Sequence, residues 1–207
     1  RIIMLNYTYG TNGLKVDIPR IVNYIDKEIM KGDIAEAKLF NPDFIIANMH
    51  WGLEYERIPS REQRELADWL LRQGVDLVIG SHPHVVQPME LRRGKEGVTD
   101  RLVVYSLGNF ISNMSREHTD GDVMVKVVLG RKGLRRYIVS AQYSLIYSSR
   151  YKNEQGKEDI RVVPAASWSG KNQNSSFSVD SALIKYVNNT RLFLKGNNKE
   201  VEEYIFE

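Results

Sequence analysis

The sequence predicts an α/β domain in which a sheet built on a parallel strand–helix–strand crossover is joined by antiparallel hairpin strands and layered with helices. Three observations predict it. An apolar strand pattern at residues 43–49, a helix marked at both ends over 60–74 and a second apolar strand at 75–80 follow one another directly, which is the signature of a crossover unit. Apolar and polar residues alternate on either side of the glycine-bearing turn 130–133, which argues for an antiparallel hairpin. A content of 42% apolar and 10% aromatic residues in 207 is enough for a buried core.

The elements follow in order. The chain opens on Arg1 and runs at once into the apolar residues Ile2 to Leu5; a preceding segment, with any targeting signal, is expected outside it. Over 17–31 the residues Ile18, Ile21, Val22, Ile25 and Ile29 recur at three- and four-residue spacing, the stripe of a helix, with Pro19 in its first turn. Gly32-Asp33 reads as that helix's end. The strand 43–49 follows Pro42 and delivers His50 at its carboxyl end. Ser60 with Gln63 three residues on is a capping box, Leu66, Ala67, Leu70 and Leu71 form the apolar stripe, and Gly74 closes the helix.

The strand 75–80 opens into the loop 81–88, and a third apolar strand at 102–105 runs into Gly108 and Asn109. The hairpin 122–129 and 134–143 is expected to cover or extend the sheet. From 148 to 178 the chain turns polar apart from a strand candidate at 160–164, with an amide- and hydroxyl-rich stretch at 171–176, and a last helix is expected over 179–195. The division expected is therefore 1–147 as the main α/β part and 148–207 as a packed appendage of polar loop, short strand and terminal helix. No internal repeat is present.

Composition excludes several classes of function. With no cysteine, disulfides, thiolate nucleophiles and thiolate metal sites are excluded, so a metal here must take nitrogen or oxygen ligands. The 29 basic and 26 acidic residues are too evenly balanced to imply a nucleic-acid partner. Arg92, Arg93 and Lys95, and the group Arg131, Lys132, Arg135 and Arg136, sit beside glycines and read as solvated turns, a polyanion contact being the alternative. No apolar run approaches the roughly 20 residues that cross a bilayer.

Three of the four histidines, His50, His82 and His84, fall just past two strand ends. In a parallel sheet the carboxyl ends open into one crevice, and neighbouring strands lie about 4.8 Å apart, so these imidazoles are expected to meet. Pro83 biases His82 towards an extended conformation, and residues two apart in extended chain face the same way. Neutral imidazoles so placed suit zinc, iron, nickel or copper, and acceptably manganese; the alternative is that each caps a strand or packs against Trp51 or Pro88. His118, between Glu117 and Thr119, is expected to be solvent-exposed. Glu54 is a candidate general acid/base or an acceptor orienting His50, against a plain solvated carboxylate. Trp51 and Tyr55 either line a substrate groove or pack the loop, packing being favoured. Gly108-Asn109 and Asn12-Gly13 either bring backbone close to a metal site or form ordinary turns.

The run His50-Trp51-Gly52-Leu53-Glu54-Tyr55, then Pro59 and Gln63, then Gly80-Ser81-His82-Pro83-His84 with Gln87, then Tyr105-Ser106-Leu107-Gly108-Asn109-Phe110 strongly resembles the CapA capsule (poly-γ-glutamate) synthesis family. That family looks like a branch of the calcineurin-like metallophosphoesterases, and the opening Asn6 to Gly13 also resembles its mid-domain segment. The resemblance is close from Leu5 to Phe110 and looser beyond. It implies a metallophosphatase-like fold of which this chain is the C-terminal half.

The wider superfamily holds two metal ions with Asp-x-His, Gly-Asp and Asn-His motifs, a later lone histidine and a final Gly-His-x-His. By this likeness His50 matches the lone histidine, and His82 and His84 match the last pair. Ser81 stands where the pair's glycine would be, and the carboxylate motifs have no counterpart. The resemblance thus implies a two-metal site of manganese, iron or zinc completed by residues absent from this chain. It further implies a phosphoesterase-type hydrolase in capsule or poly-γ-glutamate biosynthesis, outside the cytoplasm at the cell envelope. Its partners would be an anionic polymer or phosphoester substrate and the envelope synthesis machinery. The rival expectation is a non-catalytic envelope factor for polymer assembly, tethering or export; a soluble nuclease comes third, with charge patterning against it.

Overall fold

A computed structural model describes residues 1–95, 99–166 and 181–205. Its first sheet holds β1 (Ile2–Thr8), β2 (Phe44–His50), β3 (Leu77–Ser81), β5 (Arg101–Val104) and β4 (Met89–Arg92), in the order β1-β2-β3-β5-β4. The first four run parallel and β4 is antiparallel to β5. Helices α1 (Lys27–Leu39) and α2 (Arg61–Gln73) supply the crossovers from β1 to β2 and from β2 to β3.

The inner strands β2 and β3 read as nearly continuous apolar runs because both their faces are covered. Ile45, Ala47 and Met49 of β2 and Val78 of β3 pack with Met30, Ile34, Ala67 and Leu70 of the two helices. Phe44 and Leu77, pointing the other way, join a second core with Leu145, Tyr143 and Ile138. That core is closed by a second sheet of β6 (Gly121–Lys132), β7 (Arg135–Lys152) and β8 (Glu158–Pro164), with the short β9 (Glu202–Glu203) beside β7. Helix α3 (Ser181–Asn197) adds Tyr186, Val187 and Leu194 to the same core. The layers are thus helices, a mainly parallel sheet, and an antiparallel sheet with its own helix, the mixed α/β arrangement that the sequence predicts. Among the described residues no helix is long and apolar enough to cross a membrane.

Several details differ from the sequence expectations. No helix covers 17–31: Ile18 and Ile21 are 95% and 87% exposed, and α1 starts only after Asp26, whose carboxylate accepts from the N–H groups of Glu28 and Ile29. The true apolar stripe is Met30, Ile34 and Ala37. Gly32 and Asp33 lie within this helix, and the Asp33 carboxylate accepts from the Tyr7 hydroxyl at 2.8 Å. Of the two expectations for the hairpin, covering holds and extension does not: it founds a second sheet whose inward residues pack on the apolar face that β2 and β3 leave open.

Polar residues 148–152 are strand, not loop, since β7 runs on through them to pair with β8, crossing the expected boundary after 147. The stretch 171–176 and the expected helix start at 179 lie outside the described residues. Arg92 and Arg93 are not free turns: Arg92 sits on β4 between Asp68 and Glu90, at 2.7 and 2.8 Å, and Arg93 donates to Asp100 and to the Ile138 carbonyl. Arg131 and Arg136 do lie at the hairpin tip, where they reach Asp43 and the carbonyl of Pro42 at the start of β2.

Candidate metal centre at the carboxyl edge

Parallel register brings the carboxyl ends of three strands into one row: Thr8 of β1 lies opposite His50 of β2, and His50 opposite Ser81 of β3. The residues just beyond, Tyr9 and His82, turn towards the histidine in the middle. The His50 and His82 ring centroids are 4.7 Å apart, His82 and His84 are 6.0 Å apart, and the Tyr9 ring lies 4.4 Å from His82. One ligand atom each from Glu54, His82 and His84 lie within 4.8 Å of one another. His50 flanks this trio through its contact with His82.

Burial favours the neutral form of His50 and His82, and hydrogen bonds orient the two outer rings. Burial pushes His82 below the ordinary imidazole range, with His50 adding to the effect and Glu54 opposing it. Burial likewise lowers His50, helped by His84. Each of the outer rings has one nitrogen engaged. His50 Nδ1 lies 3.3 Å from the Ser81 hydroxyl, and His84 Nδ1 lies 3.4 Å from Asn109 Oδ1. Asn109 spends its amide donors on the Ser112 hydroxyl and the Thr119 carbonyl, so its oxygen is the atom left for His84. Both arrangements leave Nε2 as the free nitrogen.

The backbone reason for the convergence differs from the expected one. His82 and His84 have φ of 101° and 58°, not the extended conformation that Pro83 alone would favour. Side chains in this left-handed region strain the backbone by about 1–3 kcal/mol each. Neighbouring loops hold it: Tyr55 N–H donates to the Pro83 carbonyl at 2.7 Å, Trp51 N–H to Ser81 and Tyr9 N–H to His50. Tyr55 itself has φ of 67°.

The structure places the other candidate residues as follows. Glu54 faces His84, with Oε1 3.8 Å from Nε2, and not His50 as one expectation had it. Trp51 packs: it is 2% exposed and its Nε1 donates to the Tyr105 carbonyl at 2.9 Å. Gly80 permits that approach, because a Cβ there would overlap the Tyr105 carbonyl oxygen and the Trp51 ring nitrogen. Tyr55 is stacked on His84, centroids 6.0 Å apart. Asn12 is exposed and joins only through Tyr9, whose hydroxyl donates to it at 2.5 Å. His118 stays outside the cluster and is partly buried, its side chain 32% exposed, beside Glu117.

Sequence reasoning passed over four contributors. Tyr9 and Ser81 lie in the quoted motifs without a role assigned. Gln63 and Gln87, both almost fully buried, bond each other at 2.8 Å. Gln63 also caps α2 through Ser60, and Gln87 donates to the Glu56 carbonyl, so the helix start is tied to the loop carrying Glu54. Two buried amides twenty-four residues apart carry no local signal that they pair. A cleft of about 450 Å³ opens beside His50 between Asn6, Thr8, Asn23 and Asn48.

Comparison with known proteins adds lineage to this geometry. The family model described as "Bacterial capsule synthesis protein PGA_cap" matches residues 1–114, a span that contains every candidate residue of the cluster. The "PGA biosynthesis protein CapA" of Bacillus subtilis (strain 168) is 35% identical over 115 residues, 56% of this chain and 28% of that protein. The "Capsule biosynthesis protein CapA" of Bacillus anthracis is 35% identical over 107 residues, 52% of this chain and 24% of that protein. The chain thus spans about a quarter of the length of the curated relatives it matches.

Proposed function

Because this chain belongs to the bacterial capsule synthesis protein family, we propose that it serves the making of an envelope capsule polymer such as poly-γ-glutamate, its histidine cluster being the metal-binding part of a phosphoesterase-type hydrolytic site. The observation that supports this reading is the grouping of ligand atoms from Glu54, His82 and His84 within 4.8 Å, with His50 packed against His82. The donor set fits a divalent cation of the zinc, manganese or iron kind: imidazoles, of which His50 and His82 are favoured neutral by burial, one carboxylate, and a polar partner behind each outer ring. When bound, such a cation supplies Lewis-acid polarisation of a phosphoryl oxygen.

The residues of the chain then divide the remaining work. His82 and His84 hold the cation with Glu54, and His50 keeps its free nitrogen beside them. Asn109 and Ser81 set which nitrogen each outer ring presents. Where Glu54, with 45% of its side chain exposed, stays off the cation, it is the candidate acid/base. The substrate class is a phosphoester or anionic polymer, and the place of action is the cell envelope outside the cytoplasm, with the polymer synthesis machinery as partner.

A second reading, a non-catalytic factor for polymer assembly, tethering or export, draws on one observation. Among the described residues Glu54 is the one carboxylate grouped with His82 and His84, whereas a pair of ions about 3.5–4 Å apart needs bridging oxygens. One experiment separates the two. Manganese binding and hydrolysis of bis(p-nitrophenyl) phosphate are measured for wild type and His82→Ala. Metal uptake with turnover, both lost in the variant, supports the hydrolase. Metal uptake without turnover supports the binding factor, and no uptake by wild type removes the metal site altogether.

A further inference from the structure

Arg116 lies beyond the 1–114 span matched by the family model, yet its side chain stacks on a residue that touches the cluster. Its guanidinium carbon is 4.0 Å from the centroid of the Tyr55 ring, and that ring is stacked on His84 at 27° between planes. The segment that carries Arg116 is fixed to the site by a second route. The Arg116 carbonyl accepts from Thr119 N–H and from its hydroxyl, and the Thr119 carbonyl accepts from the Asn109 amide that faces His84.

A guanidinium lying over an aromatic ring spends its face and leaves its N–H edges in the plane free. Those edges are the donors that grip phosphate or carboxylate in pairs. Among the described residues no ion pair consumes them; neighbouring Glu117 lies 4.0 Å from both His118 and Lys185. Arg57, on the same loop as Glu54, is the rival cation. It lies over Phe193 of α3 at 3.7 Å with its Nε buried and burial lowering its pKa, so it is enclosed against α3, whereas Arg116 stacks on the ring that touches His84. Tyr55, strained at φ of 67° and pinned by its N–H to Pro83, acts as a rigid spacer between the imidazole edge and the guanidinium.

We propose that Arg116 is the anion-positioning residue of this site, its free edge holding oxygens of a phosphoester whose reacting end lies at the histidines. The inference rests on the phosphoester reading of the cluster. A merely structural Arg116 would pack the rim and move stability, whereas an anion-positioning Arg116 moves substrate and phosphate affinity and their dependence on salt.

The test uses the whole chain with manganese, bis(p-nitrophenyl) phosphate as substrate and inorganic phosphate as a binding probe followed by calorimetry. Arg116→Gln is expected to raise KM and the phosphate Kd about ten-fold, the loss of one charge-assisted contact, and to flatten the salt dependence, with kcat and Tm near wild type. Arg116→Lys is expected to recover part of the affinity, since it keeps the charge without the planar fork. If wild type binds phosphate through Arg116 but does not turn over substrate, the hydrolase reading falls and the anion site stands. If wild type turns over and Arg116→Gln changes neither KM nor the phosphate Kd, this inference alone falls. Wild type that binds no phosphate overturns it as well, as does a loss in Arg116→Gln that merely follows a lowered Tm.

Discussion

Replacing Asp122 with Asn should make the protein more resistant to unfolding in mild alkali than the wild type. Asp122 is 6% exposed and lines an apolar cavity of about 560 Å³ with Ile46, Leu77, Ile79 and Val123. Burial pushes its carboxyl up to about 8, opposed only by a hydrogen bond from the Val123 N–H. The nearby Tyr186 hydroxyl does not help the carboxylate, because it donates to the main-chain oxygen of Asp122 at 3.0 Å.

The folded state therefore keeps a proton that the unfolded chain releases near pH 3.8. Stability from this group is fully present below that pH and is lost as pH rises through the folded value. A shift of this size at 1.36 kcal/mol per unit corresponds to a loss of about 6 kcal/mol by pH 9. Asn removes the titration but adds a buried N–H donor, at a cost of about 1–3 kcal/mol at every pH. The two proteins should be close in stability near pH 5 and part as pH rises, the variant being clearly the more stable at pH 9. Urea midpoints at pH 5, 7 and 9 give the difference between the two proteins, which cancels slopes from other groups such as Asp120. A difference that does not change between pH 5 and 9 would refute the argument that the carboxyl is held protonated.

Three further outcomes are expected. Gly80→Ala places a methyl against the unyielding carbonyl of Tyr105 and the Trp51 indole, so urea denaturation should show a loss of about 3 kcal/mol or more; a loss under 1 kcal/mol would mean the strands part easily there. Asn109→Ala removes the acceptor behind His84 and should weaken manganese binding by about 10–100-fold in calorimetry. His118→Ala should leave that affinity unaltered, and equal effects of the two changes would contradict the assignment. Gln87→Leu strands the buried Gln63 amide and the Glu56 carbonyl and should lower stability by about 1–3 kcal/mol per unpaired group, measured by thermal melting.

What the sequence shows plainly is whatever is decided within a few residues. The capping box at Ser60 and Gln63 and the left-handed Gly74 mark α2 to the residue. The continuous apolar runs of β2 and β3 betray strands buried on both sides, and their parallel pairing is enough to bring His50 and His82 to one edge. Decisions taken over distance stay hidden. Ile18 and Ile21 imitate a helical stripe, but the burial that would make them one goes to Met30 and Ile34. Strand β4, only four residues following Pro88, forms because Glu90 and Arg92 find partners on Lys199 and Asp68. At the site the histidines are legible from their placement, whereas the left-handed turns that aim them, the stacked Tyr9 and the amides behind them depend on neighbours far along the chain.

The left-handed backbone at His82 and His84 has a consequence for anyone reshaping this protein. Glycine would sit at either position with less discomfort than imidazole does, so the chain is least relaxed where its chemistry is concentrated. Variants selected only for heat resistance will tend to drift towards small residues there and become sturdier as they fall silent. The same tension means the loops are already bent into shape, so an ion of the kind proposed would demand little rearrangement of them.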